Sequence, residues 1–236
     1  RPLKDLTQED VARCLCDGIR SEGLARLDWT PEAVQLRSRL AFARRLGGHP
    51  VGADLCVRPS AHTGEGEGAH TGPPLRSWPD VGDEALEMTL EAWLLPALMG
   101  KRTLEEASRA DVAECLALWV GHRAMQELNR LAPTHIEVPS GSRIRLDYAA
   151  GDAPVLAVRI QEVFGMMASP RVGGGTVPVV VHLLSPARRP VQVTQDLASF
   201  WRTGYALTRK DLRGRYPKHY WPEDPSQAEP RRGLRT

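Results

Sequence analysis

The segment THIEVPSGSRIRLDYAAGDAPVLAVRI, residues 134–160, decides the fold class, because here the spacing of apolar residues changes from a helical period to a period of two. Ile144, Leu146 and Tyr148 alternate with Arg143, Arg145 and Asp147, which sets one strand face against a core and the other in water. Pro139, Ser140, Gly141 and Ser142 stand where one strand must reverse into the next, and Gly151 with Asp152 makes the following turn. A third strand is expected at 155–160, a helical turn near 161–167, a turn at Gly173-Gly174-Gly175-Thr176, a central strand in the apolar run 177–184, and an edge strand at 190–194. The expectation is a small antiparallel sheet or partly open barrel with flanking helices.

Upstream the pattern is helical, so the whole chain is expected to be α+β. Thr7 caps a helix carrying Val11, Leu15 and Ile19 and stopped by Gly23; Thr30 and Pro31 open a second with Val34, Leu36, Leu40 and Ala41. Arg37, Arg39, Arg44 and Arg45 are expected on the face away from the core, as a solvated face or a basic stripe. Leu86, Leu90, Trp93, Leu94 and Ala97 predict a third helix, with Asp83, Glu84 and Glu87 early in it and Gly100 closing it. Thr103 and Glu106 have capping-box spacing, and Asp111 heads a longer helix reaching Leu128, with Trp93 and Trp119 as core anchors. The organisation expected is a helical segment (1–48), a flexible linker (49–76), a helical subdomain (77–132) and a β-rich subdomain (133–236). In the linker, His62, Glu65, Glu67 and His70 are metal-ligand types, but AHTG simply recurs around GEGEG and no metal site is expected.

Residues 185–225, SPARRPVQVTQDLASFWRTGYALTRKDLRGRYPKHYWPEDP, gather most of the basic and ring-bearing side chains of the carboxyl-terminal part. From 171 to 236 there are twelve Lys/Arg against five acids, so a net charge of +2 divides into +7 there and −5 elsewhere. Such a field attracts phosphate or acidic protein surface. The candidate nucleic-acid-binding residues are Arg188, Arg189, Arg202, Arg213, Arg215 and Lys218 for the backbone, with Tyr216, Tyr220 and Trp221 as stacking platforms. The competing expectation is a docking or scaffold module, in which the same arginines meet acids and the rings are buried. One helix is expected at 195–205, headed by Thr194, and a second, short one from Thr208 and Asp211 to Gly214. His182 and His219, with Ser185, Asp147 or Asp196 as partners, have no recognisable catalytic spacing, and no catalytic residue is expected.

The words SPARRPVQVTQDLASFW, LRGRYPKHYWPEDP, APTHIEVPSGSRIRLDY and VLAVRIQEVFG stand in one order that resembles the carboxyl-terminal end of the HrpB type of bacterial DExH/DEAH ATP-dependent helicases. The resemblance is dense from 133 to 225, looser through WPDVGDEALEMTLEAWL and GIRSEGLARLDWTPEAVQLRSRLAF, and lacking over 49–75. It implies an auxiliary region of an ATP-driven motor acting on RNA or, second, DNA, with the motor domains of the parent chain as partners. ATP and magnesium are implied for those motor domains, and no cofactor for this chain. A glycine-rich phosphate loop ending in Lys-Ser/Thr is missing here, so no ATPase activity is expected. No apolar run approaches the roughly 20 residues of a membrane span, the opening residues do not resemble a signal peptide, and Arg1 fits a piece of a longer chain. With Cys14, Cys16, Cys56 and Cys115 scattered, no disulfide framework and a cytoplasmic location are expected.

Overall fold

The computed structural model describes residues 7–47 and 78–232, and the chain divides after Leu128 into two units. The linker and its metal-ligand types lie outside the described residues.

In the first unit, the Thr7 hydroxyl accepts from the Asp10 amide while the Asp10 carboxylate accepts from the Thr7 amide, closing the capping box of α1 (Gln8–Glu22). Thr30 receives the Ala33 amide at 3.2 Å at the start of α2 (Pro31–Gly47). The single helix expected after residue 82 is three short ones: α3 (Asp83–Met88), α4 (Leu90–Trp93) and α5 (Leu95–Leu98). The Thr89 hydroxyl donates back to the Ala85 carbonyl at 2.7 Å, and Pro96 removes an amide donor, so the ladder cannot run through. The Trp93 indole donates to the Leu86 carbonyl at 3.0 Å and bridges the first break.

Then follow α6 (Leu104–Ser108), with Thr103 and Glu106 closing its capping box, and α7 (Val112–Val120), capped by Asp111. The expected run to Leu128 is interrupted: Gly121 has φ +86°, and α8 (His122–Leu131) starts afresh beyond it. The helices bury Leu15, Ile19, Leu36, Leu40, Leu86, Leu90, Trp93, Leu98 and Leu116, while Trp119 is only half-buried.

The four arginines of α2 divide: Arg44 and Arg45 are exposed, as a solvated face requires, while Arg37 is half-buried and Arg39 is buried. Arg39 is 4% exposed, Arg37 donates to the Val81 carbonyl and the Asp83 carboxylate, and Arg44 pairs with Asp80 at 3.0 Å. Arg37 and Arg44 anchor the chain that enters α3.

The second unit is built on a sheet of β1 (His135–Glu137), β2 (Arg143–Asp147), β3 (Val155–Arg159), β6 (Val180–Leu184) and β7 (Pro190–Thr194), in that spatial order. A hairpin of β4 (Arg171–Val172) and β5 (Val177–Pro178) lies between β3 and β6 in the chain. Mixed helix and sheet, with an open sheet and a helical front half, agrees with the α+β expectation. The all-antiparallel expectation fails at one pairing, since β3 runs parallel to β6 in the register Val155↔Val180 to Arg159↔Leu184. A parallel pair needs a long crossover, which residues 160–179 supply. They hold a 3-10 turn (Ile160–Val163) and the hairpin, whose Gly173, Gly174 and Gly175 all have φ between +63° and +87°. Leu146, Leu156, Val158, Val181 and Leu183 line the buried face.

Gly121→Ala should destabilise the chain by about 1–3 kcal/mol in urea unfolding, although nothing lies within 4 Å of the added methyl, because its backbone conformation is one that a side chain disfavours.

Candidate nucleic-acid interface

The β6–β7 turn presents Arg188 and Arg189. Ser185, 2% exposed, organises it: its amide donates to the Arg189 carbonyl at 2.8 Å, its carbonyl accepts the Arg188 amide at 2.8 Å, and its hydroxyl accepts the Arg189 amide at 3.1 Å. Arg188 has φ +59°, the one positive φ outside glycine among the described residues. An arginine held there costs about 1–2 kcal/mol relative to a right-handed residue, so the turn is strained at its tip. Both guanidiniums are exposed and make no ion pair among the described residues.

Residues 197–215 form one helical stretch, with α9 (Leu197–Ser199), a π-helical turn (Phe200–Gly204) and α10 (Tyr205–Arg215). It begins at Asp196, whose side chain accepts from the Ser199 amide, and not at Thr194. It also runs through Gly214 where a separate short helix was expected. Trp201, Tyr205 and Leu212 face the core, and the Trp201 indole donates to the Met166 carbonyl at 2.8 Å. Arg202, Arg213 and Lys218 are exposed and unpaired among the described residues; Arg215 meets Asp211 at 3.1 Å in an exposed pair.

The tail from 216 to 232 is a strap. Trp221 is 7% exposed, its indole donating to the Tyr216 carbonyl at 2.9 Å while its own carbonyl accepts from Arg209 at 3.0 Å. The Tyr205 hydroxyl donates to the Pro222 carbonyl at 2.9 Å, and the Gly165 amide donates to the Pro225 carbonyl at 2.9 Å. Farther on, the Arg231 amide donates to the Gln161 carbonyl at 2.8 Å, and the Arg232 side chain to the Ser140 carbonyl at 2.9 Å. Tyr220 stands edge-on to Phe164 at 6.2 Å with the Arg231 guanidinium 4.5 Å from its ring centre; Tyr216 is half-buried, edge-on to His219 at 6.0 Å.

The expectation of three open stacking rings therefore needs correction. Trp221 is packed inside and Tyr220 carries an arginine, because a ring closing the strap removes more apolar surface from water than one left outside.

Among the described residues, neither His182 nor His219 bonds to Ser185, Asp147 or Asp196. Burial, and then the positive charge of Arg159, hold the His219 imidazole below the ordinary histidine range. Its Nδ1 is buried without a partner among the described residues. Cys16 and Cys115 are free thiols pushed up to about 11 by burial, which leaves them poor nucleophiles at neutral pH.

Residues 93–225 match the family of ATP-dependent helicase C-terminal regions, designated HrpB_C. The chain belongs to this family. It is 38% identical over 232 residues to the ATP-dependent RNA helicase HrpB of Escherichia coli K12, covering 98% of this chain and 26% of that protein. Two crystal structures are similar to it. The E. coli DExH-box NTPase HrpB gives a TM-score of 0.80 at 37% identity over 98% of this chain and 25% of that one. The E. coli DEAH/RHA helicase HrpB gives 0.70 at 36% identity over 94% and 25%. The HrpB-type chain described here thus spans about a quarter of the length of the relatives it matches.

Trp221→Ala should cost about 3–5 kcal/mol in chemical denaturation, as a core residue does, where loss of an exposed stacking ring would leave stability nearly unchanged. His219 should make stability pH-dependent. Its folded pKa lies below the unfolded one near 6.5, so its contribution is present above that pH and is lost as pH falls and the unfolded chain takes up the proton. His219→Asn should flatten the decline in melting temperature measured from pH 7 to pH 5.

Proposed function

We propose that this chain is an auxiliary carboxyl-terminal region of an ATP-dependent RNA helicase, contributing backbone grip on the nucleic acid that the motor acts on. The observation that carries the reading is the strained β6–β7 turn, which holds in water two guanidiniums with no ion pair among the described residues. Guanidiniums on a short, hydrogen-bonded turn flanked by Pro186 and Pro190 lose little freedom when they meet phosphate. Arg202, Arg213, Arg215 and Lys218, exposed on the helical stretch and the strap, are further candidates for phosphate contact, and the buried Trp221 contributes packing. RNA is placed ahead of DNA, in keeping with the E. coli relative's designation as an RNA helicase. ATP and magnesium are assigned to motor domains of the parent protein, and the bacterial cytoplasm is the site of action. No described helix is long and apolar enough to cross a membrane.

A docking role has one observation in its favour. In the first unit Ala92, Trp93, Pro96, Cys115, Leu118 and Trp119 border a cleft of about 340 Å³, and Leu118 is 73% exposed beside it. An apolar side chain so placed suits contact with another protein surface.

The test is a titration of labelled single-stranded RNA into the chain at two salt concentrations, beside a variant with Arg188, Arg189, Arg213 and Arg215 changed to Ala. The variant should bind more weakly, with the slope of log affinity against log salt reduced by about 0.7 for each phosphate no longer neutralised. Equal and negligible binding by both at low salt would remove this reading in favour of docking.

A further inference from the structure

The strand directions sort the charges of the second unit. With β1, β3 and β6 pointing one way and β2 and β7 the other, one edge of the sheet collects the β1–β2 turn, the ends of β3 and β6, and the β6–β7 turn. Arg143, Arg159, Arg188 and Arg189 belong to that edge through their strands and turns. The strap adds Arg232, whose guanidinium donates to the Ser140 carbonyl and fills the space that a Cβ on Gly141 would need, 2.8 Å away. It also adds Arg231, through its amide bond to the Gln161 carbonyl.

Three acids lie there. Glu162 is buried and bound to Arg159 at 2.8 Å, Glu229 reaches Arg231 at 3.7 Å, and Glu137 is exposed across from Arg143. Arg143, Arg188, Arg189 and Arg232 are exposed and without ion pairs among the described residues. The opposite edge holds Asp147, Asp152, Asp196 and His135; Arg171, nearby on β4, has its guanidinium on the Gly175 and Thr176 carbonyls.

Two buried polar groups lie behind this edge. The Gln161 amide nitrogen and His219 Nδ1 are buried without partners among the described residues, and Gln161 itself is 4% exposed. Gln161 lies two residues beyond the end of β3, and His219 lies near enough to Arg159 to sense its charge.

We infer that Arg143 and Arg232 join Arg188 and Arg189 in one continuous phosphate-binding rim along this edge of the sheet, taking the backbone of a single nucleic-acid strand. From β2 to β7 there are three interstrand spacings, so the rim spans about 14 Å, enough to meet successive phosphates. This rests on the proposed nucleic-acid role and extends it to two arginines, one ahead of the basic tail and one inside the strap.

The experiment titrates labelled single-stranded RNA into the full chain at two salt concentrations, comparing R143A/R232A, R188A/R189A and, as a control on the acidic edge, D147N/D152N. Each arginine pair should weaken binding about tenfold and lower the salt slope by about 1.4, and the control should bind like the wild type. R143E leaves the Arg232–Ser140 bond in place; its expected loss of affinity ties the effect to charge if the double variant folds poorly. Unchanged affinity in R143E and R143A/R232A beside a clear loss in R188A/R189A would overturn the rim and leave the proposed function standing. No binding by the wild type at the lower salt would overturn both.

Discussion

The parallel pairing of β3 with β6 is the constraint on which the second unit depends. Two parallel neighbours cannot be joined by a tight turn, so the chain must leave the sheet and return to the end where it started. The crossover from 160 to 179 carries Phe164, which becomes an aromatic hub with Trp201 at 6.1 Å, Tyr205 at 6.0 Å and Tyr220 at 6.2 Å. The same pairing makes both strands end on one edge. Without it, the turn at Arg188 and the end of β3 would point in opposite directions.

A crossover outside the sheet has backbone groups that no strand can satisfy, and each left buried and unpaired would be costly. The tail answers this at Gly165 and Gln161, and the Trp201 indole answers it at Met166. A division of labour follows from the side chains themselves. Rings leave water favourably and can close a core, whereas a guanidinium pays a large desolvation penalty and stays outside unless matched. Along 185–225 folding thus buries Phe200, Trp201, Tyr205 and Trp221 and leaves Arg188, Arg189, Arg202, Arg213 and Lys218 exposed.

Much of the local structure was legible in the sequence. Thr7, Thr103 with Glu106, and Asp111 each declared a helix start, because capping chemistry acts over three residues. The strands showed in their alternation. Strand direction did not, since a period of two is the same in parallel and antiparallel pairs. The breaks at Thr89 and Gly121 were hidden by apolar spacing that continues across them. For the candidate site, Arg188 and Arg189 stood out through the prolines around them, but the fate of Trp221 depended on a bond to Tyr216 that composition cannot reveal. Arg232 meets Ser140 across 92 positions, a proximity that only the assembled sheet creates.

The strap also bears on biosynthesis. The crossover's Gln161 carbonyl and Gly165 amide receive their partners from Arg231 and Pro225, so they stay open to water until translation has passed those codons and the tail has cleared the ribosome. Helices of the first unit need no such late arrival. Of the two units, the sheet-bearing one therefore waits longer in an unsealed form, where chaperone capture or a wrong partner can intervene.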